Sequence, residues 1–87
     1  MYKLIEKRYE LNNETMLWEE KRTEELEVNQ KWINNIVESI GFFKNLGGEE
    51  TKTTYRQKMD GVIRSTTHLV SMSPDRQSKT HRIWYAI

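Results

Sequence analysis

The sequence predicts an α+β fold of two layers: an N-terminal β-hairpin, one helix and a C-terminal three-stranded antiparallel meander, in the order β-β-α-β-β-β. Three observations predict it. A three- and four-residue hydrophobic period is confined to one stretch, Trp32 to Ile40. Strand-length, β-prone runs separated by turn formers stand on both sides of it. Asp60-Gly61 sits between two such runs, a strong signal for a tight hairpin. One helix laid on an antiparallel sheet gives two layers around a single core.

"MYKLIEKRYEL" and "TMLWEEKRT" form the first hairpin, with the turn formers of Asn12 to Glu14 between them. Alternation puts Ile5, Tyr9 and Leu11 on one face and Tyr2 and Leu4 on the other; Met16 and Trp18 share a side of the second strand. Asn29 is the expected helix N-cap, because its side chain can accept from an orphan amide of the first turn. Glu25 and Glu27 precede that positive end. Trp32, Ile33, Ile36, Val37 and Ile40 make the apolar stripe. A helix of twelve residues is about 18 Å long, enough to cover one face of a sheet and no more. Gly41 stops the helix, and "FFKNLGG" makes a compact turn or one further helical turn. Phe42 and Phe43 are consecutive and cannot both point inward, which leaves one of them for a partner subunit. Gly47-Gly48 is the sharpest break in the chain. "ETKTTYRQK", "VIRSTTHLVSM" and "KTHRIWYAI" then read as the meander, with Asp60-Gly61 and "SPDRQS" as its turns and Pro74 set for the second position of the latter.

Eighty-seven residues make one domain, residues 1–87. A chain of this size buries only roughly 60–65% of its unfolded surface, so its own core is thin. It has no cysteine, which removes disulfides and thiolate metal sites as supplements and leaves self-association as the remaining one. The same absence fits a reducing compartment. Charge interrupts the apolar residues of the N-terminus, and no apolar run approaches the roughly 20 residues of a membrane span. The expectation is a soluble, cytoplasmic protein. Net charge is +1, spread unevenly: residues 1–48 hold seven Lys/Arg against nine Glu, residues 49–87 seven against four acids. That is too weak for an extended nucleic-acid footprint but permits a local basic pocket for a small anion.

The last strand raises a packing question. Ile83, Tyr85 and Ile87 alternate with Arg82, Trp84 and Ala86. The first set suits the core beneath the helix, which puts Trp84 on the far face. Leaving that indole wet forfeits roughly 1.5–3 kcal/mol. The strand is therefore expected inside the sheet, with its second face covered by a partner or ligand; packing of Trp84 on neighbouring Lys and Thr stems is the alternative.

No catalytic constellation can be assembled. If Met72 faces Lys79, Val70 faces His81 and His68 lies one diagonal step away, so the imidazoles come within reach. Asp75 is too far along to be a third ligand, and no metal or cofactor is expected. Glu19-Glu20 point to opposite faces of a strand, no Ser sits in a nucleophile elbow, and "LGGEE" lacks the Lys and Ser/Thr of a phosphate loop. The expectation is that the protein is not an enzyme. The strongest remaining signal is basic residues interleaved with aromatics on the meander. Tyr55, Arg56, Arg64, Arg82 and Trp84 are the candidate ligand-binding residues, with Lys58 beside them; Arg56, Lys58, Arg64, Arg82 and Trp84 are expected on one face. Guanidinium groups fork onto phosphate and aromatic planes stack on bases.

With "FFKNLGGEE", the Thr-rich strand after it and "SMSPDR", the chain resembles the short accessory proteins of bacteriophages of Gram-positive hosts: tiny, cysteine-free, rich in Lys, Glu and Asn, and ending in a strand. The likeness is one of style over the whole length, and no residue role follows from it. It implies a counter-defence factor in the host cytoplasm that inhibits a host enzyme or neutralises a host defence, in some cases as an oligomeric sponge for a cyclic-nucleotide signal. The function expected is thus a non-catalytic binding protein, a dimer or higher homo-oligomer, that sequesters a small anionic nucleotide. A protein–protein inhibitor of a host enzyme or defence protein and a weak single-stranded nucleic-acid binder are the alternatives.

Overall fold

The C-terminal strand stands at the centre of the molecule. In the computed structural model, which describes residues 1–87, five strands form one antiparallel sheet in the order β2-β1-β5-β4-β3. The elements are β1 (Tyr2–Asn12), β2 (Leu17–Val28), α1 (Gln30–Glu38), α2 (Phe42–Asn45), β3 (Glu49–Met59), β4 (Val62–Met72) and β5 (Ser78–Ala86). The fold class and element order are those predicted, and β5 is flanked by β1 and β4. No helix is long and apolar enough to cross a membrane.

Local chemistry sets the connections. The Asn12 side chain accepts from the amides of Glu14 (2.9 Å) and Thr15 (3.3 Å), folding the β1–β2 loop. Asn29 caps α1 by accepting from the Trp32 amide at 3.0 Å. The helix ends sooner than its stripe: Gly41, at φ 103°, turns the chain into α2. Gly48 is required for a different reason. A Cβ there would stand 2.4 Å from the Met72 carbonyl oxygen and 2.9 Å from that of Phe43. Asp60 and Gly61 both have positive φ, 52° and 79°, between the paired Met59 and Val62, as a type I′ turn demands.

Two features of β2 depart from expectation. It runs on to Val28, through a glutamate-rich stretch of low strand propensity. It also bulges: Arg8 faces Arg22 but Tyr9 faces Glu20, so Lys21 has no partner. The bulge places Trp18 on the same face as Tyr9.

The core is Leu4, Val28, Ile33, Leu69 and Trp84, with Tyr2, Leu26, Ile36 and Ile40 packed against it. This reverses the predicted orientation of β5. Arg82, Trp84 and Ala86 face the helix, whereas Ile83 and Tyr85 face away from it. The reason is non-local. Trp84 lies directly opposite Leu4, which lies opposite Leu26, so three strands supply one continuous apolar row for the helix. Ile83 has Ile5 on one side but His68 on the other.

The helical segment crosses this face diagonally. It leaves β2 at Val28, which pairs with Tyr2, and enters β3 at Glu49, which pairs with Met72 at the opposite end of the sheet. Two corners of the face remain uncovered. One, over β2, β1 and β5, carries Arg22, Glu24, Glu6, Arg8, Thr80 and Arg82; the other, over β4 and β3, carries Ser65, Thr67, Thr54 and Arg56.

Candidate functional site

The first uncovered corner is a groove. Arg82 pairs across the sheet with Glu6 and Leu69, and its side chain forms the groove floor beside α1. At its border with α1, Trp32, Asn35, Ile36 and Ser39 line an open cleft of about 300 Å³ together with Arg82. Ser39 and Arg82 also line a second hollow, of about 180 Å³, walled by Phe42, Phe43 and Ser71. Ser39 and Arg82 are the walls that the two hollows share. Glu50 accepts from the Phe43 amide at 2.8 Å and fixes the position of α2.

Arg82 is under-used by the fold. Its Nε is buried without a hydrogen-bond partner, and the nearest carboxylate oxygen, Glu6 Oε1, is 3.8 Å away. Nε itself is closed to a ligand, and the side chain, 28% exposed, meets the cleft through its other atoms. Glu6 offsets part of its charge, so a singly bonded anion gains less than a forked one. Trp32 is 49% exposed and Phe42 63%, so both offer aromatic planes at the rim.

The sequence-predicted binding residues do not converge. Arg82 is in the groove. Trp84 is 5% exposed beneath the helix and presents no face for stacking. Arg56 lies on the helix-covered side but in the far corner, opposite Ser65. Tyr55 and Arg64 are on the opposite face of the sheet. The single face expected for Arg56, Lys58, Arg64, Arg82 and Trp84 fails at Arg64, because its partner in β3 is Gln57 and not Arg56. Arg64 lies over the Tyr85 ring, 5.3 Å from its centroid, and donates to the Ala86 carbonyl at 2.9 Å. Trp32, expected in the core stripe, lies outside the core. Asn29 as N-cap fixes the helix phase so that Ile33, Ile36 and Ile40 face the sheet, and Trp32 is turned about 100° from Ile33. The stripe was narrower than the run of apolar letters.

The open face carries its own polar network. The predicted register holds: Met72 faces Lys79 and Val70 faces His81. His68 Nδ1 is 2.9 Å from His81 Nε2, and His68 Nε2 is 2.8 Å from Gln57 Oε1. The Tyr55 ring stacks on His68 at 5.1 Å with an interplanar angle of 1°. Burial pushes both imidazoles below their ordinary range; for His81, the charges of His68, Lys7 and Lys79 add to burial. Further along, Asp60 accepts from the Tyr85 hydroxyl at 2.6 Å and from Lys3 Nζ at 3.4 Å. These two partners, the hydroxyl first, hold its carboxyl below the usual range.

No known protein family, characterised protein or solved structure matches this chain.

Proposed function

We propose that this chain is a non-catalytic binding protein that takes up a small anionic nucleotide in the groove over Arg82. The observation that carries the reading is the Arg82 guanidinium: partly buried, 3.8 Å from its nearest carboxylate oxygen, and lining the cleft with exposed Trp32. Phosphate suits the guanidinium and a base suits the indole. Sequestration of a nucleotide signal is also the role that the resemblance to phage counter-defence proteins implies, and it belongs to the same proposal. Calorimetry against a panel of cyclic and linear nucleotides tests it. Arg82→Ala should weaken binding by about 1.5–3 kcal/mol, the range for a charge-assisted hydrogen bond. No heat with any nucleotide overturns the reading.

Self-association is part of the proposal, and the β3 edge supports it. β3 and β2 are the two edge strands. β2 carries Glu19, Glu20, Glu24, Glu25 and Glu27 along with its bulge, so two copies would oppose like charges. β3 is acidic at its start (Glu49, Glu50) and basic towards its end (Arg56, Lys58). Antiparallel pairing of two β3 edges with Glu49 opposite Lys58 sets acid against base and Lys52 against Tyr55. Light scattering should show a dimer that Lys58→Glu dissociates. A monomer at all concentrations removes this part of the proposal and leaves the open edge to the second reading, strand addition by a host protein.

A further inference from the structure

We infer that the second uncovered corner, over β4 and β3, holds a binding site for a small organic monocarboxylate with an apolar body. It lies across α1 from the Arg82 groove and shares no lining residue with it. A pocket of about 290 Å³ opens there, and among its walls are Tyr2, Ile33, Trp84, Ala86, Ser65 and Thr67. That volume stands at the small end of the range for ligand pockets, roughly 300–1,000 Å³.

Two cross-strand rows build the floor. In one, Trp84 faces Thr67, and Thr67 faces Thr54 with their hydroxyls bonded at 3.0 Å. In the other, Ser65 faces Arg56. Tyr2, Ile33 and Ala86 supply apolar wall beside these polar groups.

The pocket is short of acceptors. Trp84 is 5% exposed, and this is the one cavity it lines. Its indole N–H finds no acceptor within the protein and yet is not sealed from solvent, so its remaining opening is into the pocket. An indole N–H can only donate. A ligand that fits must therefore bring an acceptor oxygen to the inner wall.

Charge selects an anion. Arg56 and, two positions on, Lys58 stand at the rim, and neither forms an ion pair. The strand residues facing them on this side, Ile63, Ser65 and Thr67 of β4 and Trp84 and Ala86 of β5, include no acid. A carboxylate has one oxygen for the indole N–H and one for the Ser65 hydroxyl, with its charge towards Arg56. The apolar body then packs on Ile33, Tyr2 and Ala86. A dianion such as a phosphate monoester would bring more charge to desolvate against these walls.

Titration of the whole chain with phenylacetate, followed by proton–nitrogen NMR, tests the site. Saturable shifts should centre on Ser65, Thr67, Ala86 and the Trp84 indole N–H. Phenylacetamide, nearly the same shape without the charge, should bind at least ~5-fold more weakly, as should phenylacetate to Arg56→Glu. Ser65→Leu, which fills the pocket, should abolish the shifts. Ser65 and Arg56 are both exposed, so these variants keep the fold. Trp84→Phe, which deletes the N–H, should weaken binding a few-fold. Equal binding of acid and amide overturns the assignment. So do shifts that gather around Arg82, shifts that survive Ser65→Leu, or the absence of saturable binding.

Discussion

The two faces of the sheet keep water out by different means. One face is covered by a helix: Leu4, Leu69 and Trp84 lie under Ile33 and its neighbours. The other has no second layer, yet Tyr85 is only 2% exposed and Ile83 is also buried. There the cover is made of long polar side chains lying across the strands. Arg64 spans the Tyr85 ring, and the Tyr85 hydroxyl and Lys3 both donate to Asp60 Oδ2. The comparison teaches that a single sheet can dry a central strand on both sides without a partner. The expectation that Trp84 needs another copy or a ligand to shield it is corrected by this: its own helix does so. Self-association is left to rest on the β3 edge.

The contrast can be tested from its strongest side to its weakest. Trp84→Ala removes the largest apolar group of the helix-covered face and should cost about 3–5 kcal/mol in urea unfolding. A loss below about 1.5 kcal/mol would mean that the helix is not holding the indole dry. On the open face, Tyr85→Phe keeps the ring and deletes one hydrogen bond, so about 1 kcal/mol is expected. Equal losses for the two would erase the distinction between the faces. The finest distinction is in acid. Asp60 has a lowered carboxyl pKa in the fold, so its contribution is present above the unfolded value of about 3.9 and disappears as pH falls through the lower folded value. Unfolding curves between pH 6 and pH 2 should show this loss, and Asp60→Asn should flatten that part of the profile while leaving Tyr85 an oxygen to donate to.

Much of the fold was legible because its signals are local. The type I′ turn is written in Asp60-Gly61, the helix start in Asn29, and the meeting of His68 with His81 in the spacing across "SPDRQS". The orientation of β5 was not legible. Its two alternating sets each carry a large aromatic, Trp84 or Tyr85, and the choice depends on Leu4, eighty positions away in the chain. The bulge at Lys21 gave no sign either, since nothing in "WEEKRTEE" marks an unpaired residue, and without it Trp18 would not share a face with Tyr9. The binding residues scattered for the same reason: alternation groups the residues of one strand, and only the register joins the groups of different strands. Arg82 could be picked out as a basic residue. Its neighbour Trp32 could not, because the helix that brings it belongs to a different part of the sequence.

The placing of β5 next to β1 also bears on how the molecule assembles. Each joins a locally connected unit, the β1–β2 hairpin or the β3–β4–β5 meander, and the seam between them pairs Tyr2 with Ala86. Contacts so distant along the chain form late, after loop-closure entropy has been met. Until the seam shuts, β1 and β5 are temporary borders, richer in Ile, Leu, Tyr and Trp than the permanent ones. The hazard of sticking to other chains therefore peaks before folding is complete, at what becomes the middle of the finished sheet.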